Sequence, residues 1–452
     1  MNDPACASLK PIERWCIAIL LSLFVLLGVY VEIRSARLSR RMGDFGCYVR
    51  GAWAVWSGAR LYDVVDNNGW HFNYPPFLAI MFVPMADPPA SDGPAPFIPY
   101  ALAVGLWFVF SLVCLAYAIH VLARAIEETS NDPKIRAQPR GCRRWWALRI
   151  IPLMVCTIPI GHTLMRGQVN TMILAMLCAM IAAFLRKQDF RAGIWLALAT
   201  SIKVIPIYLV VYPLARRNWR TLAGWCLGLE ITLVVLPFLV WGPAESIDVY
   251  QDFATTLLGP AFGLSPDKTR EDELLGKGLT DNQSLKSAPF NLLHPNTTTR
   301  PATLPAWAEW NHRIVGLLLT VVTLAAGFRS GFRSDWSQAA LVGALIFLMC
   351  VLSPVCHLHY FTYMLPMIMA LLAQRWESRP DIDLGPLLMG LLSLMFVANL
   401  LPQLPWMELV LRDVGLPLYA GLGIWFLTVR RLWQGCVTTL QAEPSTPIAR
   451  AA

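Results

Sequence analysis

An all-α, polytopic membrane bundle is the fold class the sequence predicts, and three observations predict it. Hydrophobic residues make up 56% of the 452 and charged residues only 15%, against about 25% charged in an ordinary soluble domain. Apolar runs of about 17 to 25 residues recur from end to end, each long enough to cross a roughly 30 Å hydrocarbon core at 1.5 Å rise per residue. Basic residues gather between those runs, so the positive-inside rule accounts for the formal charge of +8 and no nucleic-acid partner is expected. The 11 cysteines are scattered without a CxxC or Cys/His spacing that would hold zinc, and neither a metal nor a cofactor is expected.

In chain order, the candidate full spans are 15 to 33, 98 to 123, 148 to 164, 168 to 185, 220 to 241, 312 to 328, 337 to 353, 358 to 374, 384 to 401 and 414 to 429, about ten crossings. The first run, from Trp15 to Ile33, lacks a small-residue cleavage site and precedes many more spans, so it is expected to be an anchor. Phe77 to Met85 is too short to span and is expected to lie in the interface, as a short helix of the outer loops. Pro88, Pro89, Pro94, Pro96 and Pro99 then mark a stretch that cannot stay helical. The clusters Arg124 to Arg144, Arg186 to Arg191 and Arg216 to Arg220 are expected on the cytoplasmic side. Basic clusters therefore flank both ends of Ala192 to Pro213, and a broken or re-entrant hairpin turning at Lys203 and Pro206 resolves the parity. With the N-terminus inside, residues 34–97 and 242–311, the turns around Arg166 and His357, and residues 402–413 fall on the outer face. No internal repeat of the transporter kind is visible. Residues 1–433 are expected to form one transmembrane domain and 434–452 a disordered cytoplasmic tail.

The outer segments hold the residue types that do chemistry. Asp44, in Gly43-Asp44-Phe45, sits between a span and an apolar aromatic stretch, where partial desolvation makes a carboxylate a better base; a solvated loop acid or helix cap is the other explanation. Asp63 and Asp66 lie in a more polar stretch and rank below it. Arg166 stands on the outer side against the charge bias, so it is expected to have an anionic partner: a lipid headgroup, Asp44, or the phosphate of a bound donor. Lys203 is an ionisable group within an apolar segment, a functional-site candidate or a snorkelling side chain. His357 and His359 follow Leu352-Ser353-Pro354, and their i, i+2 spacing does not make a two-ligand helical metal site. Asn282-Gln283-Ser284 fits both a sugar-binding amide cluster and a solvated loop, and its match to a glycosylation acceptor carries little weight. No Gly-rich phosphate loop, nucleotide fingerprint or nucleophile elbow is present.

Taken in order, the motifs resemble glycosyltransferase family 87 of the GT-C superfamily, the polyprenol-phosphate-mannose-dependent mannosyltransferase-like group. The resemblance rests on Gly43-Asp44-Phe45 with Tyr48 and Ala52, then Gly58, Tyr62 and Tyr74-Pro75-Pro76. It continues through Gly167-Gln168-Val169-Asn170, Ala192-Gly193, Lys203-Val204-Ile205-Pro206, Asn282-Gln283-Ser284-Leu285 and Leu352-Ser353-Pro354. It implies a GT-C-type helical bundle that transfers a hexose, mannose first, from a polyprenyl-phosphate sugar to a lipid-linked or glycan acceptor, with inversion. Asp44 would be the catalytic base. Arg166, Lys203, His357 and His359 would bind the donor phosphate, and Tyr74, Gln168, Asn170, Asn282 and Gln283 would bind substrate. Where the family has a tryptophan and adjacent histidines after Ser-Pro, this chain reads Val355-Cys356-His357-Leu358-His359. The expected setting is the bacterial inner (plasma) membrane, among its lipids, with both termini cytoplasmic and the site on the outer face. The alternative is a transporter or flippase of a lipid-linked sugar or lipid, which would place paired broken helices and charges at the midplane.

Overall fold

The computed structural model describes residues 7–37, 42–259, 281–301, 303–331, 335–377, 382–404, 407, 411 and 413–434. Among these the chain is helical, with a single isolated β-bridge between Val65 and His71. The helices that matter below are α1 (Pro11–Glu32), α2 (Gly43–Ser57), α3 (Pro76–Phe82), α4 (Tyr100–Thr129), α5 (Arg143–Val155), α6 (Thr157–Arg166), α7 (Asn170–Leu185) and α8 (Asp189–Ile202). The expected tail falls outside the described residues from 435 onward, as does 260–280 of the expected second outer segment.

Five helices among the described residues are long and apolar enough to cross a membrane: Pro11–Ala36, Tyr100–Thr129, Trp219–Trp241, Ala306–Ser330 and Gly385–Gln403. A sixth crossing arises if α5 and α6, bent by 65° at their junction, count as one. The protein is an integral, multi-pass membrane protein. The sequence leads to about ten full spans, and the difference has a physical reason. Apolar runs such as Asn170–Leu185 and Trp336–Val351 are shorter helices enclosed by protein, and a helix that never meets lipid need not match bilayer thickness. Nearly every side chain of α7 is buried, whereas only 17% of the α1 window and 22% of the Trp219–Trp241 window are. Run 148 to 164, expected as one span, instead breaks at Cys156. Pro159 explains the place, since it lacks the N–H that would bond to Val155, the last residue of α5.

The expected hairpin at Lys203 is recognisable from how α8 packs. An added Cβ on Gly193 would lie 2.0 Å from the Thr221 carbonyl oxygen, and one on Gly224 would lie 2.2 Å from that of Phe190. Further along, Gly228 meets Ala197, and the Ser201 and Thr232 hydroxyls are 2.5 Å apart. The partners advance together, so α8 and the helix Trp219–Trp241 run parallel. Parallel neighbours start at the same end of the bundle. The chain must therefore return between them, and it does so through an extended Lys203, a 3-10 turn at Ile205–Val210 and a short helix Val211–Ala215. Glycines make this contact possible because the backbones nearly touch.

The segment between α1 and α4 is pinned by one buried arginine. Arg50 donates to the carbonyls of Val65, Asp87 and Pro88 and to Asn67 Oδ1, which gathers residues 65–88 around α2. The segment that resumes at residue 281 is pinned by backbone: Gln283 N donates to Cys356 O at 2.7 Å and Leu285 N to Val351 O at 2.9 Å. A buried ion pair, Arg300 to Asp413 at 2.5 Å, fastens its far end.

Candidate active site

Asp44 lies in the first turn of α2, where the helix dipole favours a negative charge. Its Oδ2 accepts a hydrogen bond from Arg166 Nε at 2.7 Å, so of the three partners open to Arg166 the structure provides Asp44. Arg166 ends α6, and Gly167 closes that helix in the left-handed region at φ 68°. A Cβ there would meet the Phe45 Cβ at 2.6 Å and Met42 Cε at 2.9 Å. Glycine at 167 thus serves both the backbone turn and the close approach of Arg166 to α2. Trp107 Nε1 holds the same turn by donating to the Gly167 carbonyl at 2.9 Å. The Asp44 side chain is 16% exposed and that of Arg166 is 53% exposed, so the pair is open on the arginine side.

Tyr48 follows Asp44 by one helical turn. Its hydroxyl lies 3.3 Å from Gln168 Oε1 and 3.2 Å from the Tyr74 hydroxyl, to either of which its one proton can go, with the two tyrosine rings edge to face at 4.9 Å. Burial, reinforced by Tyr74 and Asp44, pushes the Tyr48 phenol well up; burial and then Asp44 do the same for Tyr74. Both therefore remain neutral hydrogen-bonding groups. Next along the chain, Asn170 Oδ1 accepts from Lys203 Nζ at 3.4 Å and from the Tyr363 hydroxyl at 3.0 Å. Lys203 also stands 4.2 Å above the Tyr360 ring, a cation–π contact. His359 packs edge-on to Tyr360 at 4.9 Å and 5.4 Å from the half-buried His357. Arg166, bonded to Asp44, and Asn170, bonded to Lys203, stand at the two ends of the short turn 167–169, so the acid and the basic cluster adjoin.

Two buried groups in this cluster have no hydrogen-bonding partner: the Asn170 Nδ2 amide and His359 Nε2. An unpaired buried polar group costs roughly 1 to 3 kcal/mol, and a ligand that satisfies both would recover it. By contrast, the side chain of Asn282 is occupied by backbone. Its Nδ2 donates to Pro354 O, and its Oδ1 accepts from Cys356 N and Ser284 N. Asn282 and the adjacent Gln283 backbone shape the turn that carries His357 and His359. Asp66 is likewise taken up by its own turn, accepting from Asn68 and Trp70, and Asp63 pairs with Arg60. Tyr48, Trp107 and Tyr363 take part in the site although motif order alone gives them no role. A buried tyrosine whose hydroxyl must find a partner is the signal that points to Tyr48 and Tyr363.

A model of glycosyltransferase family 87 matches residues 72–354 of the chain. Among curated relatives, the polyprenol-phosphate-mannose-dependent alpha-(1-2)-phosphatidylinositol pentamannoside mannosyltransferase of Mycolicibacterium smegmatis is 26% identical, covering 73% of this chain and 69% of that protein. A protein of the same description from Mycobacterium tuberculosis is 25% identical, with 86% and 74% covered. The polyprenol-phosphate-mannose-dependent alpha-(1-2)-phosphatidylinositol mannoside mannosyltransferase of Mycobacterium tuberculosis is 23% identical, with 81% and 78% covered. Among solved structures, ArnT from Cupriavidus metallidurans bound to undecaprenyl phosphate aligns with a TM-score of 0.37 at 14% identity, covering 92% of this chain and 77% of that one.

Proposed function

The chain belongs to glycosyltransferase family 87, and from that premise we propose that it transfers a hexose, mannose first, from a polyprenyl-phosphate donor to a lipid-linked or glycan acceptor. The observation that carries this proposal is the joining of an acid-arginine pair, Asp44 and Arg166, to a buried basic cluster with two unsatisfied polar atoms. Displacement at an anomeric carbon needs a base at the entering hydroxyl and positive charge at the departing phosphate. Asp44 supplies the first. It takes the proton from the acceptor hydroxyl as that oxygen bonds to the anomeric carbon, while the bond from that carbon to the phosphate oxygen breaks with inversion. Arg166 serves both parts: its Nε is on Asp44, and its terminal nitrogens would take the phosphate. Lys203, His359 and His357 supply the remaining charge and hydrogen bonds, and Asn170 donates its free amide. Tyr74 and Gln168 position the acceptor side of the site.

The names of the curated relatives support the donor class and the lipid-linked acceptor. The basic clusters support a site on the non-cytoplasmic face of a bacterial plasma membrane, with both termini cytoplasmic. The test uses purified full-length protein in detergent with radiolabelled polyprenyl-phosphate mannose and an acceptor lipid extract. Transfer is expected, and Asp44→Asn should lower turnover by about 10²- to 10⁴-fold, the usual worth of a general base, with the protein still folded. Unchanged turnover in that variant would remove Asp44 from the role of base.

A further inference from the structure

We propose that the basic end of the bundle carries a binding site for an anionic phospholipid, separate from the Asp44 site and independent of the transferase proposal. Between α4, α7 and α8 lies a cavity of about 550 Å³, within the roughly 300 to 1,000 Å³ usual for a bound small molecule. Helix α7 separates the two places. It leaves the Asp44 site at Asn170 and reaches the cavity mouth at Arg186 some 24 Å further on, at 1.5 Å per residue.

The lining is divided by chemistry. Ala179 and Ala183, 4% and 5% exposed, leave the floor shallow and apolar, and Tyr117 and Trp195 form its sides. Tyr117, 44% exposed, marks the side open to the surrounding bilayer. The mouth is cationic. Arg186 and Arg191 line it, and Glu128 is already shared between Arg186 at 2.9 Å and Arg124 at 2.5 Å. Arg191 has the amide oxygen of Gln188 at 3.2 Å, a neutral partner for a full charge. Lys187 occupies the turn that ends α7 at φ 59°, with Gln188 N on Ala183 O and Lys187 N on Phe184 O. Glycine is the ordinary residue in that cap, and here a lysine stands between the lining residues Arg186 and Gln188. An occupant must be anionic at one end and apolar along the rest. A phospholipid with a net negative headgroup meets both conditions, with its phosphate on Arg191 and an acyl chain over Ala179 and Ala183.

The test is native mass spectrometry of the full-length protein in detergent, titrated with phosphatidylglycerol, with phosphatidylcholine of the same chains, and with inorganic phosphate. Phosphatidylglycerol should bind more tightly than phosphatidylcholine, and Arg191→Gln should weaken it roughly fivefold, as expected for one basic residue at an anionic headgroup. Ala183→Leu, which fills the floor, should weaken both lipids. Arg191 is exposed, so its variant is expected to melt at the wild-type temperature and decides the matter if Ala183→Leu fails to fold. Equal binding of the two lipids, or phosphatidylglycerol binding unchanged by Arg191→Gln, overturns the proposal. Displacement of phosphatidylglycerol by equimolar inorganic phosphate also overturns it, because the site would then take the ion and not the lipid.

Discussion

Asp44 and Arg166 are 122 positions apart in the sequence and 2.7 Å apart in space. Their geometry sets separate expectations for two substitutions. Arg166→Gln removes a charged hydrogen bond worth about 2 kcal/mol, so kcat/KM should fall about 30-fold. Arg166→Lys keeps the charge but not the fork, and should fall between that variant and wild type in the same transfer assay. At Tyr48 the prediction concerns pH. The native state holds its phenol protonated well above the ordinary value of 10.0, whereas the unfolded chain ionises near that value. The contribution to stability is therefore complete below pH 10 and lost as pH rises above it, at about 1.4 kcal/mol per pH unit. Thermal melting of the wild type should drop more steeply above pH 10 than that of Tyr48→Phe.

Among the elements, two glycines carry the arrangement. Gly167→Ala forces a side chain into the left-handed region, at roughly 1 to 2 kcal/mol, and against Phe45 at 2.6 Å. Moving α6 away from α2 relieves the clash and separates Arg166 from Asp44. Activity should then fall further than the melting temperature alone would explain. Gly193→Ala is different, because its added carbon meets backbone 2.0 Å away and no side chain can yield. The parallel helix pair must part, and a lower melting temperature with reduced yield is expected, by about 1 to 3 kcal/mol for an overpacked contact. The hairpin at Lys203 was legible from basic residues at both ends of one apolar run, since parity of crossings is a property of charge order. The 65° bend between α5 and α6 was not, because Pro152 lies within α5 while Pro159 marks a break; only the surrounding packing separates a tolerated proline from a hinge.

In the whole molecule, the loop that resumes at residue 281 holds the site together from a distance. Asn282 bonds to Pro354 and Cys356 across 72 and 74 positions, so the histidine turn depends on a loop rather than on its own helix. Asn282→Ala is expected to lower stability by about 2 to 3 kcal/mol for its lost hydrogen bonds. Its loss of activity should be reduced by lowering the assay temperature, which loss of a direct substrate contact would not show.

The sequence by itself determined that the chain is a membrane bundle, which runs are apolar and which loops are basic, and from the order of the basic loops came the expectation that Asp44, Arg166 and the histidines share one face. Those properties follow from composition and order along the chain, since hydrocarbon thickness and charge asymmetry act on local segments. Tertiary structure decided which apolar runs are enclosed rather than lipid-facing, that Arg166 pairs with Asp44, that Asn170 lies between Lys203 and Tyr363, and that Asn282 supports backbone. Each of these depends on contacts between segments far apart in sequence. In an interior already apolar on every side, helix-to-helix fit, and not hydrophobicity, chooses the partners.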